Sequence, residues 1–167
     1  MGQYRPVRRF NILILCTGNS ARTILAEALF RRLGYARFTA YSAGSHATGT
    51  VHPDTVELLK AERYNTKSFC SKSWDEFAQP GAPKMDIVIT VCDAVAGEAC
   101  PLWPGNPVRV HWGLPDPSKL EDPEARRAAF RATYAALERR VRALLALPDE
   151  LLGDPKALAK VHAEADL

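Results

Sequence analysis

The sequence predicts an α/β protein: a four-stranded parallel sheet with helices on both faces, followed by a C-terminal helical tail. Two observations carry that prediction. Residues 10–15 (FNILIL) and 86–91 (DIVITV) are short apolar runs with no polar alternation, the signature of strands buried on both faces and hence central in a parallel sheet. Between such runs the apolar period switches to that of a helix. Strands alternating with helices imply right-handed crossovers in one parallel sheet.

In chain order, the first strand stops at a cluster of Gly, Asn and Ser (residues 16–20) that breaks regular structure. A helix follows over 22–33, with Ile24, Leu25, Ala28 and Leu29 on one face, Arg31 and Arg32 turned elsewhere, and Gly34 as its stop. Residues 38–43 read as a second strand. His52-Pro53 opens a second helix carried by Val56 and Leu59. Residues 107–111 (PVRVH) are a short fourth strand. Asp122-Pro123 caps a long helix with the stripe Phe130, Tyr134, Leu137, Val141 and Leu144. The unit 1–147 is expected to hold the chemistry. The tail, 148–167, is expected to dock as a helix through Leu151, Leu152, Leu158 and Val161, the alternative being a frayed or partner-binding segment.

Composition narrows the function classes. At 167 residues, 47% apolar and 25% charged, the chain can bury a core without staples. A net charge of +3 is too weak a bias to argue for nucleic acid or an anionic membrane. No apolar run approaches a membrane span or a signal peptide, so a cytoplasmic protein is expected. Four cysteines are too few for a disulfide scaffold, and in a cytosol they stay reduced for chemistry or packing. No CxxC or HxxxH pair occurs, so no metal site is expected. His46, His52, His111 and His162 read as turn, cap or surface residues, and Cys70 as structural.

The segment Cys16-Thr17-Gly18-Asn19-Ser20-Ala21-Arg22-Thr23 has the form C-x5-R-T between a strand and a helix. A loop this short, wrapped ahead of a helix N-terminus, points backbone N–H groups inward and forms an oxyanion nest with the helix dipole. Gly18 allows close backbone approach, and Asn19 tolerates a left-handed conformation. Arg22 can grip two oxygens of a tetrahedral anion as a fork. Cys16 opens the loop, and such surroundings can lower a thiol pKa from about 8.5 to between roughly 3.5 and 7.5. The Thr23 hydroxyl adds a hydrogen bond to the sulfur. The loop thereby activates a nucleophile and neutralises the dianion that it attacks.

Two further segments face the same end of the sheet. Asp116, between Pro115 and Pro117 after the fourth strand, is placed to protonate an oxygen leaving group, unless Asp-Pro merely starts a turn. Cys92 and Cys100 flank a loop of Ala and Gly that can refold to bring two sulfurs within disulfide reach. Their alternative is inert packing.

Together ILILCTGNSARTILAEAL, YSAGS, FCSKSWDEF, DIVITVCDAVAGEACPLWPG and VHWGLPDPS resemble the low-molecular-weight protein tyrosine phosphatase superfamily. They are more similar to its arsenate reductase branch, coupled to thioredoxin or a low-molecular-weight thiol. The resemblance implies that Cys16 attacks arsenate held by the loop and Arg22, while Asp116 protonates the departing oxygen. It implies that Cys92 then releases arsenite and leaves a Cys16–Cys92 disulfide, and that Cys100 takes over to give a Cys92–Cys100 bridge. An external reductant (thioredoxin, glutaredoxin or a glutathione-type thiol) would reopen that bridge, with no tightly bound cofactor. It also implies that Asn19 and Ser42 shape and brace the loop. Ala21 stands where many members carry a second cysteine, and seven residues separate Cys92 from Cys100 where reductases have six. Some relatives bind potassium through Asn, Ser, Glu and Asp. Asn19, Glu27 and Ser42 are present with Lys72 in the neighbourhood, and no ion is expected.

Three functions compete. An arsenate reductase uses all five residues Cys16, Arg22, Asp116, Cys92 and Cys100. A phosphotyrosine-type phosphomonoesterase leaves the later cysteines idle and lacks aromatics after Asp116, where Ser118 and Lys119 stand. A non-enzymatic anion or redox sensor needs less than the residues supply.

Overall fold

The computed structural model describes residues 8–97, 101 and 103–165. The four strands are β1 (Phe10–Cys16), β2 (Phe38–Gly44), β3 (Ile87–Thr90) and β4 (Val108–His111). They form one parallel sheet in the order β2-β1-β3-β4. Central β1 is buried almost throughout, as a strand covered on both faces must be. β4 begins one residue later than the sequence suggests, at Val108, because Pro107 has no N–H for the ladder.

The helices are α1 (Arg22–Leu33), α2 (Pro53–Ala61), the one-turn α3 (Asp93–Ala96), α4 (Pro123–Leu145) and α5 (Pro155–Ala165). α1 lies under α4, so residues 23–30 are buried all round rather than along one stripe. Phe30 of α1 packs on Phe38 of β2 and on Trp112. Tyr41 projects from the opposite face of β2 by strand alternation and packs on Phe77 of a short 3-10 helix, Trp74–Phe77. Helices therefore cover both faces.

In α2 it is Thr55, not Val56, that is buried beside Leu59. The Thr55 hydroxyl donates to the Ser20 carbonyl at 2.8 Å, which turns that face of α2 toward the first loop. His52 caps α2, its Nδ1 accepting from the Asp54 amide. Asp122 caps α4 as expected, accepting from the Ala125 amide, and Phe130, Leu137, Val141 and Leu144 are fully buried.

The tail packs α5 against α4 and β4, burying Leu152, Leu158 and Val161. Leu151 is exposed instead, because it lies in a 3-10 turn before α5 begins. Among the described residues no helix is long and apolar enough to cross a membrane.

The strand order places the topological switch between β1 and β3, where successive crossovers leave in opposite directions. Open α/β sheets bind ligands in the crevice beyond the strand ends at that point. Cys16 ends β1 there, and Cys92 follows β3.

Candidate active site

The loop 16–23 is oriented by its carbonyls. Those of Cys16, Thr17, Gly18 and Ser20 all point outward and accept from the amides of Ser45, His46, Thr48 and His52, at 2.9–3.1 Å. The Ser71 hydroxyl adds a second bond to the Gly18 carbonyl at 3.1 Å. Peptide planarity then drives the amides between them inward. Asn19 adopts φ 49°, the left-handed conformation expected of it, and its amide donates to Cys16 Sγ at 3.1 Å. α1 begins without a capping side chain and with no acidic residue in its first turn, so its positive end is left for a ligand.

A Cβ at Gly18 would meet Thr48 Cγ2 at 3.4 Å, an ordinary contact within the protein. The loop also requires a glycine at Gly44, at the end of β2, whose added Cβ would run into the Thr17 carbonyl and the Asn19 amide. Sequence reasoning missed Gly44, Thr48 and Ser71, because their partners lie far off in the chain.

Cys16 is buried, with Thr23 Oγ1 at 3.4 Å from its sulfur. Burial pushes its thiol above the ordinary value, outweighing the Thr23 hydroxyl, the Asn19 amide and the Arg22 guanidinium, which pull it down. The expectation of a lowered thiol pKa is therefore corrected: lost solvation exceeds the gain from these three groups. Arg22 is held inside. Its Nη1 donates to the Leu114 carbonyl at 2.7 Å, and its Nη2 lies 3.7 Å from Asp116 Oδ2. The Asp116 carboxylate accepts from the Ser118 hydroxyl at 2.6 Å and the Ser118 amide at 2.9 Å. Burial alone would raise the Asp116 pKa, but Ser118, Arg22 and Lys119 together hold it below the usual carboxylate range.

That depression has a consequence for stability. A carboxyl with a lowered folded-state pKa stabilises the fold fully above its unfolded value, about 3.9, and ceases to as pH falls through the folded value. The wild type is therefore expected to exceed Asp116→Asn in unfolding free energy by a constant margin above about pH 5. The margin should shrink steadily below about pH 4. Urea denaturation of both proteins across pH 3–7 checks this. A margin that grows on acidification would refute it.

Cys92 is buried at the start of α3, and its sulfur lies 3.5 Å from Thr17 Oγ1. Cys16, Arg22, Cys92 and Asp116 line one cavity of about 540 Å³, together with Thr48 and Lys119. Among the described residues no aromatic side chain lines it. Cys16, Cys70 and Cys92 are free thiols. Cys100 lies outside the described residues.

The low molecular weight phosphotyrosine protein phosphatase family profile matches residues 11–160. The chain belongs to this family. An arsenate reductase of Halalkalibacterium halodurans is 35% identical over 132 residues, 78% of this chain and 91% of that protein. The crystal structure of an arsenate reductase from Archaeoglobus fulgidus superposes with a TM-score of 0.63 at 26% identity, covering 81% of this chain and 99% of that one. A thioredoxin-dependent arsenate reductase of Corynebacterium glutamicum shares the fold at a TM-score of 0.59 and 23% identity, covering 83% of this chain and 61% of that longer one. A tyrosine phosphatase of Escherichia coli K30 and a low molecular weight phosphotyrosine phosphatase of Vibrio cholerae share the fold as well, each at 19% identity.

Behind the loop this phosphatase-family chain carries a buried polar network. Asn19 Nδ2 donates to Thr23 Oγ1 at 2.8 Å and to Ser42 Oγ at 3.0 Å, and Ser42 Oγ donates to Glu27 Oε1 at 3.0 Å. Asn19 Oδ1 accepts from the Lys72 amide at 2.9 Å. Every polar atom of the Asn19 side chain is thus used in fixing the left-handed turn under Cys16. Burial pushes the Glu27 carboxyl up, against the pull of Arg31, Lys72 and Ser42. Arg31 Nη2 lies 3.1 Å from Glu27 Oε2 and Lys72 Nζ 4.0 Å from Oε1, so the protein's own cations face this carboxylate.

Proposed function

We propose that this enzyme reduces arsenate to arsenite. Cys16 is the nucleophile, and Arg22 with the amides of residues 17–23 receives the oxyanion. Cys92 and then Cys100 carry the oxidising equivalent to an external thiol reductant, either thioredoxin or a glutathione- or glutaredoxin-type thiol. One observation carries this reading: Cys92 opens into the same cavity as Cys16, and among the described residues no aromatic ring lines that cavity. A phosphotyrosine ring would find no described aromatic side chain to stack on, and an inorganic tetrahedral anion needs nothing of the kind.

The opposite pulls on the two groups, Cys16 raised and Asp116 lowered, suit the first step. The Cys16 thiol and hydrogen arsenate condense to a thiol–arsenic(V) adduct and water, so the proton lost by sulfur is the one that the departing oxygen needs. Asp116, ionised at rest, receives the thiol proton and passes it on. Arg22 turns from the Leu114 carbonyl to the anion as the anion enters. Cys92 then attacks the Cys16 sulfur, a sulfur–sulfur bond replaces the sulfur–arsenic bond, and the electron pair leaves with arsenic as arsenite. Attack by Cys100 on Cys92 frees Cys16 and yields a bridge that an external dithiol, or two monothiols, reduces. Asn19 and Ser42 keep the loop in shape through these changes. All the chemistry falls within residues 1–147, with 148–167 as a docked tail. The reading needs a reducing compartment, and we assign the enzyme to the cytoplasm.

Arsenate turnover with thioredoxin or glutathione, compared with hydrolysis of a chromogenic aryl phosphate, tests the reading. Arsenate is expected to be preferred in kcat/KM by about tenfold or more, the order of the missing ring stacking. An enzyme efficient on the aryl phosphate and blind to arsenate with every reductant is a phosphatase.

A further inference from the structure

α3 holds Cys92 at the cavity, yet its single turn is weakly bonded. The Ala96 and Gly97 amides reach the Cys92 and Asp93 carbonyls only at 3.3 Å, and one turn does not stand by itself in water. Among the described residues, Val95 and Asp93 tie the turn itself to the body of the protein. Val95 is fully buried. The Asp93 carboxylate, beside Cys92 in the chain, accepts from His111 Nε2 at 2.8 Å.

His111 ends β4, and its Nδ1 lies 2.6 Å from the Thr90 hydroxyl at the end of β3. An ionised Asp93 can only accept, so Nε2 carries a proton. In the neutral ring Nδ1 then accepts from Thr90. One imidazole thereby joins β3, β4 and α3. The following residues are braced in turn: the Trp112 amide donates to the Thr90 carbonyl at 2.7 Å, the Leu114 amide to the Val91 carbonyl at 3.0 Å, and Arg140 to the Trp112 carbonyl at 3.2 Å.

Gly113 is fitted to this bridge. A Cβ added there would stand 2.9 Å from His111 Nε2 and 3.2 Å from Asp93 Oδ1, pressed against the side of their hydrogen bond. The glycine is not in a left-handed conformation. The position asks for room rather than for backbone freedom, and the room is filled by the His111–Asp93 bond.

We propose that His111 is a positioning residue for Cys92: a clasp that keeps α3 docked and the Cys92 sulfur at the Cys16 cavity, and that opens when Cys92 moves away to pair with another thiol. The proposal rests on the relay reading above and adds the element that restrains the moving cysteine. Because the clasp grips the exposed Asp93 side chain and not the core, releasing it leaves the sheet intact.

The test is the rate at which iodoacetamide alkylates each cysteine of the reduced, full-length protein, resolved by peptide mass spectrometry, with exposed Cys70 as the internal reference. His111→Phe removes both bonds and keeps a ring. Gly113→Ala wedges the clasp open. Asp93→Ala removes its grip, whereas Asp93→Asn retains an acceptor oxygen. The first three are expected to speed alkylation of Cys92 by roughly tenfold relative to Cys70, as loss of one net hydrogen bond allows, and Asp93→Asn to stay near wild type. Should His111→Phe fold poorly, Asp93→Ala alters only an exposed side chain and decides alone. Wild-type alkylation of Cys92 in Asp93→Ala and Gly113→Ala overturns the clasp, as does equal acceleration in Asp93→Ala and Asp93→Asn. Failure of the relay reading shows elsewhere: mass mapping of the wild type after one turnover of arsenate would find no disulfide at Cys92, whatever the alkylation rates.

Discussion

Cys16→Ser is expected to lower both arsenate reduction and aryl-phosphate hydrolysis by roughly four orders of magnitude or more, the scale seen when a nucleophile is removed. Phosphate should still bind within about tenfold of wild type, because no donor of the nest is lost and the exchange of one neutral hydrogen bond for another is worth only about 1 kcal/mol. Calorimetric titration with phosphate beside the two assays separates receptor from nucleophile. The nest is the set of inward amides whose carbonyls are tied to residues 45, 46, 48 and 52, and none of those bonds involves the Cys16 side chain. Retained turnover in the serine variant would move the nucleophile elsewhere. Phosphate binding lost along with turnover would mean that the sulfur itself organises the loop.

The second large effect is expected at Cys92→Ser. Multiple turnover of arsenate should fall by roughly three orders of magnitude, because a serine hydroxyl cannot take the adduct's sulfur into a disulfide. Aryl-phosphate hydrolysis persists, since it asks only for the nest, Cys16, Arg22 and Asp116. The two activities therefore diverge in this variant and fall together in Cys16→Ser. Cys100→Ser is expected to resemble Cys92→Ser, with a Cys16–Cys92 bridge accumulating. Wild-type turnover of arsenate by both single variants, with either thioredoxin or glutathione present, would remove the relay.

Local pattern carried most of the architecture. The runs at 10–15 and 86–91 announce buried strands because they are short, apolar throughout most of their length and rich in branched residues. The apolar steps of α4 and the Asp122 cap are equally plain. The sequence pattern misjudges Val56 and Leu151. Thr55 is drawn inward by the Ser20 carbonyl, and Leu151 falls in the 3-10 turn Asp149–Leu151 ahead of α5. The candidate site divides in the same way. Cys16, Asn19, Arg22 and Thr23 lie within eight consecutive residues, where spacing alone makes the chemistry legible. Gly44, Thr48, Ser71 and His111 show no signal in their own neighbourhoods, since what they touch lies up to 53 residues away.

By itself, the chain's order of residues determined the main strands and helices and the C-x5-R-T loop between β1 and α1, because each depends on neighbours within one or two turns. Only the tertiary structure decided the protonation and the company of those groups. Burial raises the Cys16 thiol despite three donors around it. Arg22 rests on the Leu114 carbonyl, near the Asp116 carboxylate. Cys92 shares the cavity, and a histidine that looked incidental joins three elements beside it. Solvation and contact at a point are sums over everything packed there, and residues distant in sequence supply most of each sum.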